Sequence, residues 1–210
     1  MIFSFLKILE TVESPINGKI QVVETLEGRR LLVGGISQSG WLVAKVWKTA
    51  LSKIKEERPD ISNVLILGLG GGSAARLVQS NFPQAQITGV DIDKSMVELG
   101  KKYLHLGEID NLRIIISDAR RWVKGAKNKF DLILVDLYIG GKIPKTFTAK
   151  KFIRSVTGLL KTGGVVAFNH LYSNIEKKDA LKFEKNLRKV FPVLTTVTPE
   201  ANIIFIAFKE

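Results

Sequence analysis

From Val64 onward the chain alternates short apolar runs with stretches whose apolar residues recur at helical spacing. The runs Val64 to Leu67, Gln86 to Asp91, Leu112 to Ser117, Leu132 to Asp136 and Val165 to Phe168 have the length and β-branched content of buried strands. Helices are predicted to begin near Ser73, Asp93, Ala119 and Ala149. Such βαβ alternation predicts a mostly parallel sheet covered by helices on both faces, with its ligand at the carboxyl ends of the strands. The end of the chain breaks the rhythm. Val193 to Thr198 and Ile203 to Phe208 flank Pro199-Glu200-Ala201, which predicts a closing antiparallel hairpin. The fold class is therefore α/β, Rossmann-like, with a mostly parallel seven-stranded sheet that ends in a hairpin.

The front of the chain reads differently. Lys19 to Thr25 alternates, Glu27-Gly28 offers a turn, and Arg30 to Val33 runs extended before Gly34-Gly35, which predicts a small β-hairpin module over residues 1–40. From Trp41 to Ile54 the period becomes helical, with Val43, Trp47, Ala50 and Ile54 on one face, and Pro59 ends the helix ahead of a linker at Glu57 to Ser62. Residues 41–210 form the main domain on this reading, and a chain of 210 residues suits one such domain with a small appendage.

Composition removes several function classes. The chain has no cysteine, which excludes disulfides and thiolate metal sites and makes a reducing cytoplasm the simplest location. Two isolated histidines argue against a metal centre. No apolar stretch approaches the roughly 20 residues needed to span a bilayer, so no membrane partner is expected. The apolar start Met1-Ile2-Phe3-Ser4-Phe5-Leu6 is interrupted by Lys7 and followed by no small-residue cleavage site, so it reads as a retained structural segment and not a signal.

The net charge of +12 raises the question of an anionic partner. On the helix predicted from Glu176 to Phe191, Lys178, Lys182, Lys185 and Lys189 lie opposite Ala180, Phe183, Leu187 and Val190. That is the pattern of a solvated face over a sheet, and no RNA-binding motif or interleaved aromatics accompany it. A nucleic-acid partner is the less favoured reading.

The candidate chemistry gathers at the strand ends. Gly68-Leu69-Gly70-Gly71-Gly72-Ser73 follows the first buried strand directly, and Asp91 closes the next one. Residues without a Cβ allow the tight turn and a close backbone approach to a ligand, while an acid on the neighbouring strand can accept from ribose hydroxyls. This pairing predicts an adenosine-type cofactor. Asp118 and Asp136 fall at two further strand ends, and Asp93, ahead of Lys94-Ser95-Met96, reads as a helix N-cap.

The stretch Val64 to Gly72, with Val90-Asp91-Ile92-Asp93, Ser117-Asp118-Ala119 and Phe130 to Asp136, resembles the spermidine synthase-like group of S-adenosylmethionine (SAM) enzymes. Ser14-Pro15, Gly18-Lys19-Ile20 and Val22 to Thr25 are similar to the family's N-terminal β segment, and Leu159 to Gly164 to the turn before its fifth strand. The resemblance implies that Gly68, Gly70 and Gly72 lie under the cofactor's methionine and ribose portion. It places Asp91 on the ribose hydroxyls and Ile92 on the adenine ring. Asp118, beside Ala119, would accept from the exocyclic amine, and Gln38 would lie near the amino-acid tail. Asp136 would face the sulfonium-bound carbon as the catalytic residue. A homodimer with the N-terminal hairpin as a contact is also implied.

The chain departs from that pattern on the acceptor side. The family's second acid in Asp-x-x-Asp is Ile139, its N-terminal tyrosine is absent around Ile16-Asn17, its Tyr-His pair is not found within Trp41 to Trp47, and an often acidic position is Gly71. A pocket without those carboxylates suits a polycation poorly. The leading expectation is therefore a SAM-dependent methyltransferase acting on a small-molecule acceptor. The alternatives are an aminopropyltransferase using decarboxylated SAM on an atypical amine, and a SAM-binding or RNA-associated module without chemistry. Tyr138, a catalytic candidate beside Asp136, and the pair Asn169-His170 are candidates for the acceptor pocket, with packing as the competing reading for Tyr138. Trp41 is read as covering the pocket or packing in a loop, and Gly140-Gly141 with Pro144 as a loop able to close over it.

Overall fold

The front of the chain builds a four-stranded sheet, twice the strands of a hairpin, in the computed structural model, which describes residues 6–210. Strands β1 (Leu6–Ser14), β2 (Gly18–Thr25), β3 (Gly28–Val33) and β4 (Ile36–Gly40) follow one another as an antiparallel meander. Gly34 and Gly35 both have positive φ (56° and 79°), the requirement of the two-residue turn that joins β3 to β4. The apolar segment from Met1 to Phe5 lies outside the described residues, and its continuation Leu6 and Lys7 belongs to β1. The sheet packs on the rest of the chain, with Ile20, Val22, Leu31 and Val33 against Met96 and Leu99.

The main sheet has seven strands. β5 (Asn63–Leu67), β6 (Gln86–Asp91), β7 (Leu112–Ile116), β8 (Phe130–Val135), β9 (Leu160–Leu171), β10 (Val193–Val197) and β11 (Asn202–Phe208) lie in the spatial order β10-β11-β9-β8-β5-β6-β7. All pairings from β9 to β7 are parallel, and β11 runs antiparallel to both β9 and β10. The chain moves outward through β5, β6 and β7, then returns to place β8 on the other side of β5. That reversal opens a crevice between the carboxyl ends of β5 and β8, where open α/β sheets bind ligands.

Alternation along each strand divides the core in two. Val64 and Ile66 face α1 (Trp41–Glu57) and α2 (Ser73–Asn81), packing with Trp47, Ala50, Ile54, Ala75 and Val78. Leu65 and Leu67 belong to the opposite layer, with Val123 of α4 (Ala119–Gly125), Phe152 and Val156 of α6 (Lys150–Gly158), and Phe183 and Leu187 of α7 (Lys177–Leu187). Helix α3 (Lys94–Tyr103) carries Met96 and Leu99 to the N-terminal sheet. Asp93 caps α3 as expected, accepting from the backbone N–H groups of Ser95 and Met96.

Three features depart from the sequence reading. β9 begins at Leu160 and not Val165, because Leu160 already pairs with Phe130 of β8, and Lys161 to Gly164 bulge out of register, with Gly163 at φ 73°, before pairing resumes at Val165. The last helix ends at Leu187, four residues before Phe191, with Lys178, Lys182, Lys185 and Lys189 all exposed. A short helix, α5 (Lys145–Thr148), stands ahead of α6. Among the described residues no helix is long and apolar enough to cross a membrane.

Candidate active site

A cavity of about 480 Å³ occupies the crevice at the strand ends, with β4 of the N-terminal sheet as part of its wall. Its floor is the glycine turn. Gly68 has φ 88°, and a Cβ there would stand 2.0 Å from the Asp136 carbonyl oxygen, so only glycine lets β5 and β8 approach closely enough to shape the crevice. Gly70 also lines the cavity, whereas Gly72 does not. A Cβ on Gly72 would meet Leu106 at 2.4 Å, so its missing side chain serves packing beneath the turn.

The donors of this turn are turned inward. The N–H groups of Gly68 and Leu69 donate to the Val90 carbonyl (2.9 and 3.2 Å), that of Gly70 to Asp91 Oδ2 (2.7 Å), that of Gly71 to Ser39 Oγ (2.6 Å) and that of Gly72 to the Leu69 carbonyl (3.0 Å). The neighbouring hydroxyls are spent as well. Ser39 Oγ donates to the Gln38 carbonyl, and Ser73 Oγ accepts from Gly40 N–H while donating to its carbonyl. The turn shapes the cavity but offers no backbone nest to an anion.

Asp91, at the end of β6, accepts from Gly70 N–H and Asp93 N–H, one on each carboxylate oxygen. Desolvation raises its pKa, and these backbone donors counteract part of the rise. Each oxygen keeps a lone pair for a ribose hydroxyl. Ile92, 38% exposed, lines the cavity beside it. Asp118 has both of the readings open to it: Oδ1 caps α4 by accepting from Arg121 N–H (2.9 Å), and the residue lines the cavity with Ala119. Arg120, next to it, is the one basic residue among the described residues of the lining.

Asp136, just beyond β8, is held by a relay. Its Oδ2 accepts from the Trp47 indole N–H of α1 (2.8 Å) and its Oδ1 from Asn169 Nδ2 of β9 (2.9 Å). Asn202, at the start of β11, donates from Nδ2 to Asn169 Oδ1 (2.9 Å) and so fixes which way the Asn169 amide points. Desolvation raises the Asp136 pKa against the effect of both donors. The result is an oriented carboxylate with free lone pairs facing the cavity, suited to accept a proton.

Tyr138 is half-buried, lines the cavity, and has its phenol pKa pushed well above the ordinary value by desolvation and then by the Asp136 charge. It stays in its neutral form, and its hydroxyl donates to the Asn169 carbonyl (3.5 Å) at the cavity wall. His170 is a correction. It is buried, lies outside the lining, and stacks on Phe183 of α7 with ring centroids 5.6 Å apart. Side chains alternate along β9, so Asn169 and His170 cannot face the same site. Trp41 is also outside the lining, and its ring carries the Lys45 ammonium 4.9 Å from its centroid.

The segment after Asp136 closes the cavity. Gln38 donates from Nε2 to the Gly140 carbonyl (3.2 Å), and Gly140 N–H donates to Asn17 Oδ1 (3.2 Å). Asn17 in turn donates to the buried carboxylate of Asp93 (2.7 Å), which also accepts from Ser14 Oγ (2.5 Å). The N-terminal sheet thereby holds both α3 and the loop. Trp47, Asn169, Asn202, Asn17 and Ser37, whose hydroxyl is buried without a partner beside the cavity, were missed as site residues or, for Asn169, only paired with the wrong neighbour. Nothing in a single asparagine marks it, and the contacts span up to 123 positions. No cluster of metal-ligating side chains occurs among the described residues.

The sheet order, terminal hairpin and strand-end cavity define a Rossmann-like methyltransferase fold. Within that class, the model of the spermine/spermidine synthase domain matches residues 49–209, and the chain belongs to that family. It is 30% identical over 198 residues to polyamine aminopropyltransferase 1 of Aquifex aeolicus, covering 91% of this chain and 70% of that protein. It is also 30% identical over 152 residues to an eEF1A lysine and N-terminal methyltransferase homolog of Drosophila melanogaster, covering 67% of this chain but 22% of that protein. A probable spermidine synthase from Corynebacterium glutamicum shares the fold, with a TM-score of 0.82 over 96% of this chain and 80% of that one at 19% identity. The relatives are transferases, mainly aminopropyltransferases with some methyltransferases.

Proposed function

We propose that this protein transfers the aminopropyl group of decarboxylated SAM to an amine. The observation that carries the reading is the closed donor set of the glycine turn. With every N–H from Gly68 to Gly72 spent internally, and with Arg120 beside Asp118 at the other end of the cavity, no cation stands by the turn to pair a SAM carboxylate, and the donors left at this wall are neutral, the Ser37 hydroxyl and the first N–H groups of α2. Gln38 supports the same choice. Its Nε2 donates to the carbonyls of Gly140 (3.2 Å) and Ile36 (3.5 Å), which leaves Oε1 as an acceptor for an ammonium and no N–H for a carboxylate. This reverses the order of the two transfer readings drawn from the sequence, in line with the aminopropyltransferase relatives.

The donor supplies an electrophilic carbon activated by its sulfonium. Asp91, Ile92 and Asp118 would hold its adenosine part. The amine nitrogen attacks the propyl carbon attached to sulfur, the carbon–sulfur bond breaks with its electron pair leaving on sulfur, and methylthioadenosine departs as a neutral thioether. Asp136, oriented by Trp47 and Asn169, takes the proton that the nitrogen sheds.

Methyl transfer from SAM is the second reading, favoured by the methyltransferase relatives and by the uncharged residue Ile139 close to Asp136. Calorimetry separates the two. Decarboxylated SAM is expected to bind about tenfold or more tightly than SAM, because an unpaired carboxylate pays desolvation with no return. Equal or tighter binding of SAM would give the site to the methyl donor.

A further inference from the structure

The sheet order divides the cavity into two halves. Asp91 and Asp118 follow β6 and β7 on one side of the Asp136 carboxylate, whereas Asn169, Leu171 and Asn202 belong to β9 and β11 on the other. The second half contains no carboxylate besides Asp136 among the described residues of the lining. Its wall is apolar: Ile36, Ile139, Pro144, Phe147 and Leu171, with the neutral ring of Tyr138. Ile36 and Ile139 are 47% and 44% exposed, and both line the cavity, so a ligand seated there can cover them. The Ile36 side chain reaches so close to Gly141 that a Cβ there would stand 2.6 Å from its Cδ1, so the N-terminal sheet and the loop meet as an apolar collar.

The buried acid outside this lining is not in reserve. Asp93 is 1% exposed and already accepts from Ser14, Asn17, Ser95 and Met96. Asn169 and Asn202 are committed to each other and to Asp136, and the other polar groups beside this wall, Asn17, Ser37, Gln38 and Thr146, are neutral. One ammonium can therefore be held at Asp136, and a second at the far end of the acceptor would lie among aliphatic side chains with no carboxylate of the lining to pair it, since Glu176, whose charge reaches Tyr138, stands outside the lining and accepts from Ser173. The +12 charge of the chain adds long-range repulsion against a dication.

We infer that the acceptor is a primary amine with an apolar far end, an alkyl- or arylalkylamine, and not a diamine or longer polyamine. The inference rests on the aminopropyl-transfer reading for its chemistry, but the shape and charge of this half of the cavity stand independently of it. Ile36 and Ile139 are the residues that determine the specificity, since either position could carry the missing carboxylate.

The test compares 1-aminopentane with 1,5-diaminopentane, equal in length and different at one end. Two readouts are taken: methylthioadenosine released from decarboxylated SAM, and the calorimetric affinity of each amine for the protein saturated with methylthioadenosine. The monoamine is expected to have about tenfold or greater advantage in kcat/KM and in affinity, because the diamine leaves a charge unpaired. Ile139→Asp, on an exposed loop position that folding tolerates, is expected to reverse the preference, and Ile36→Asp serves as the second variant. A wild-type protein that binds or consumes the diamine as well as the monoamine overturns the inference while leaving aminopropyl transfer standing. Selective monoamine binding without methylthioadenosine release supports the inference and removes the transfer reading. Failure of both amines to bind overturns the inference.

Discussion

Asp136 concentrates the chemistry, and its environment determines how it works. A carboxylate whose pKa is raised by desolvation is a better proton acceptor than an ordinary aspartate, provided that it stays ionised and points at the nucleophile. Trp47 and Asn169 provide both conditions by donating to separate oxygens. Asp136→Asn is expected to lower kcat by about 10²- to 10⁴-fold while leaving donor affinity near wild type. An equal loss of donor affinity, measured by calorimetry, would show that this side chain binds and does not catalyse. The pH dependence follows from the sign of the shift. Below its pKa Asp136 is protonated and cannot accept, so activity falls toward acid, and the limb lies above the ordinary carboxylate value of about 4. A kcat profile flat down to that value would assign the base elsewhere. The sequence marked Asp136, Asp91 and Asp118 because acids at three strand ends form a pattern. It could not mark Asn202, which acts across the sheet through Asn169, and it placed His170 in the pocket only because strand alternation was not applied to the pair.

The elements themselves were largely readable. β6 and the start of α2 fall where apolar runs and glycines put them, since buried parallel strands and a strand-to-helix turn leave strong local signals. β1 and β4 were not read. β1 carries exposed residues on much of its length, and the Ile36-Ser37-Gln38-Ser39-Gly40 run of β4 is mostly polar, so pairing with neighbouring strands decides both. The turn between β5 and α2 yields a sharp test of the packing account. Gly35→Ala has open space around the new Cβ and is expected to cost about 1 to 2 kcal/mol from its positive φ alone. Gly68→Ala pays that and also collides with the Asp136 carbonyl, for about 3 kcal/mol or more and a loss of donor binding. Urea unfolding of the two variants checks it, and equal costs would mean that β5 and β8 can separate without penalty.

Across the molecule, charge is distributed unevenly. Every charged residue of α4 and α6 is a cation, and α7 adds Lys177, Lys178, Lys182 and Lys185 against Asp179 and Glu184. This layer covers one face of the sheet and leads through Arg120 to the cavity rim. Such a field disfavours approach of a dication more than of a monocation, and salt screens it as the Debye length falls from about 30 Å at 0.01 M to about 8 Å at 0.15 M. Raising ionic strength over that range is expected to increase kcat/KM for a diamine relative to a monoamine, and an unchanged ratio would show that the basic layer has no reach into the site. The account as a whole depends on which group leaves the sulfonium. The direct measurement is to supply the protein with SAM and decarboxylated SAM in separate reactions, with the same set of primary amines, and to identify the nucleoside product. Methylthioadenosine from decarboxylated SAM, with little S-adenosylhomocysteine from SAM, is the predicted result; S-adenosylhomocysteine as the main product, without methylthioadenosine, would contradict it.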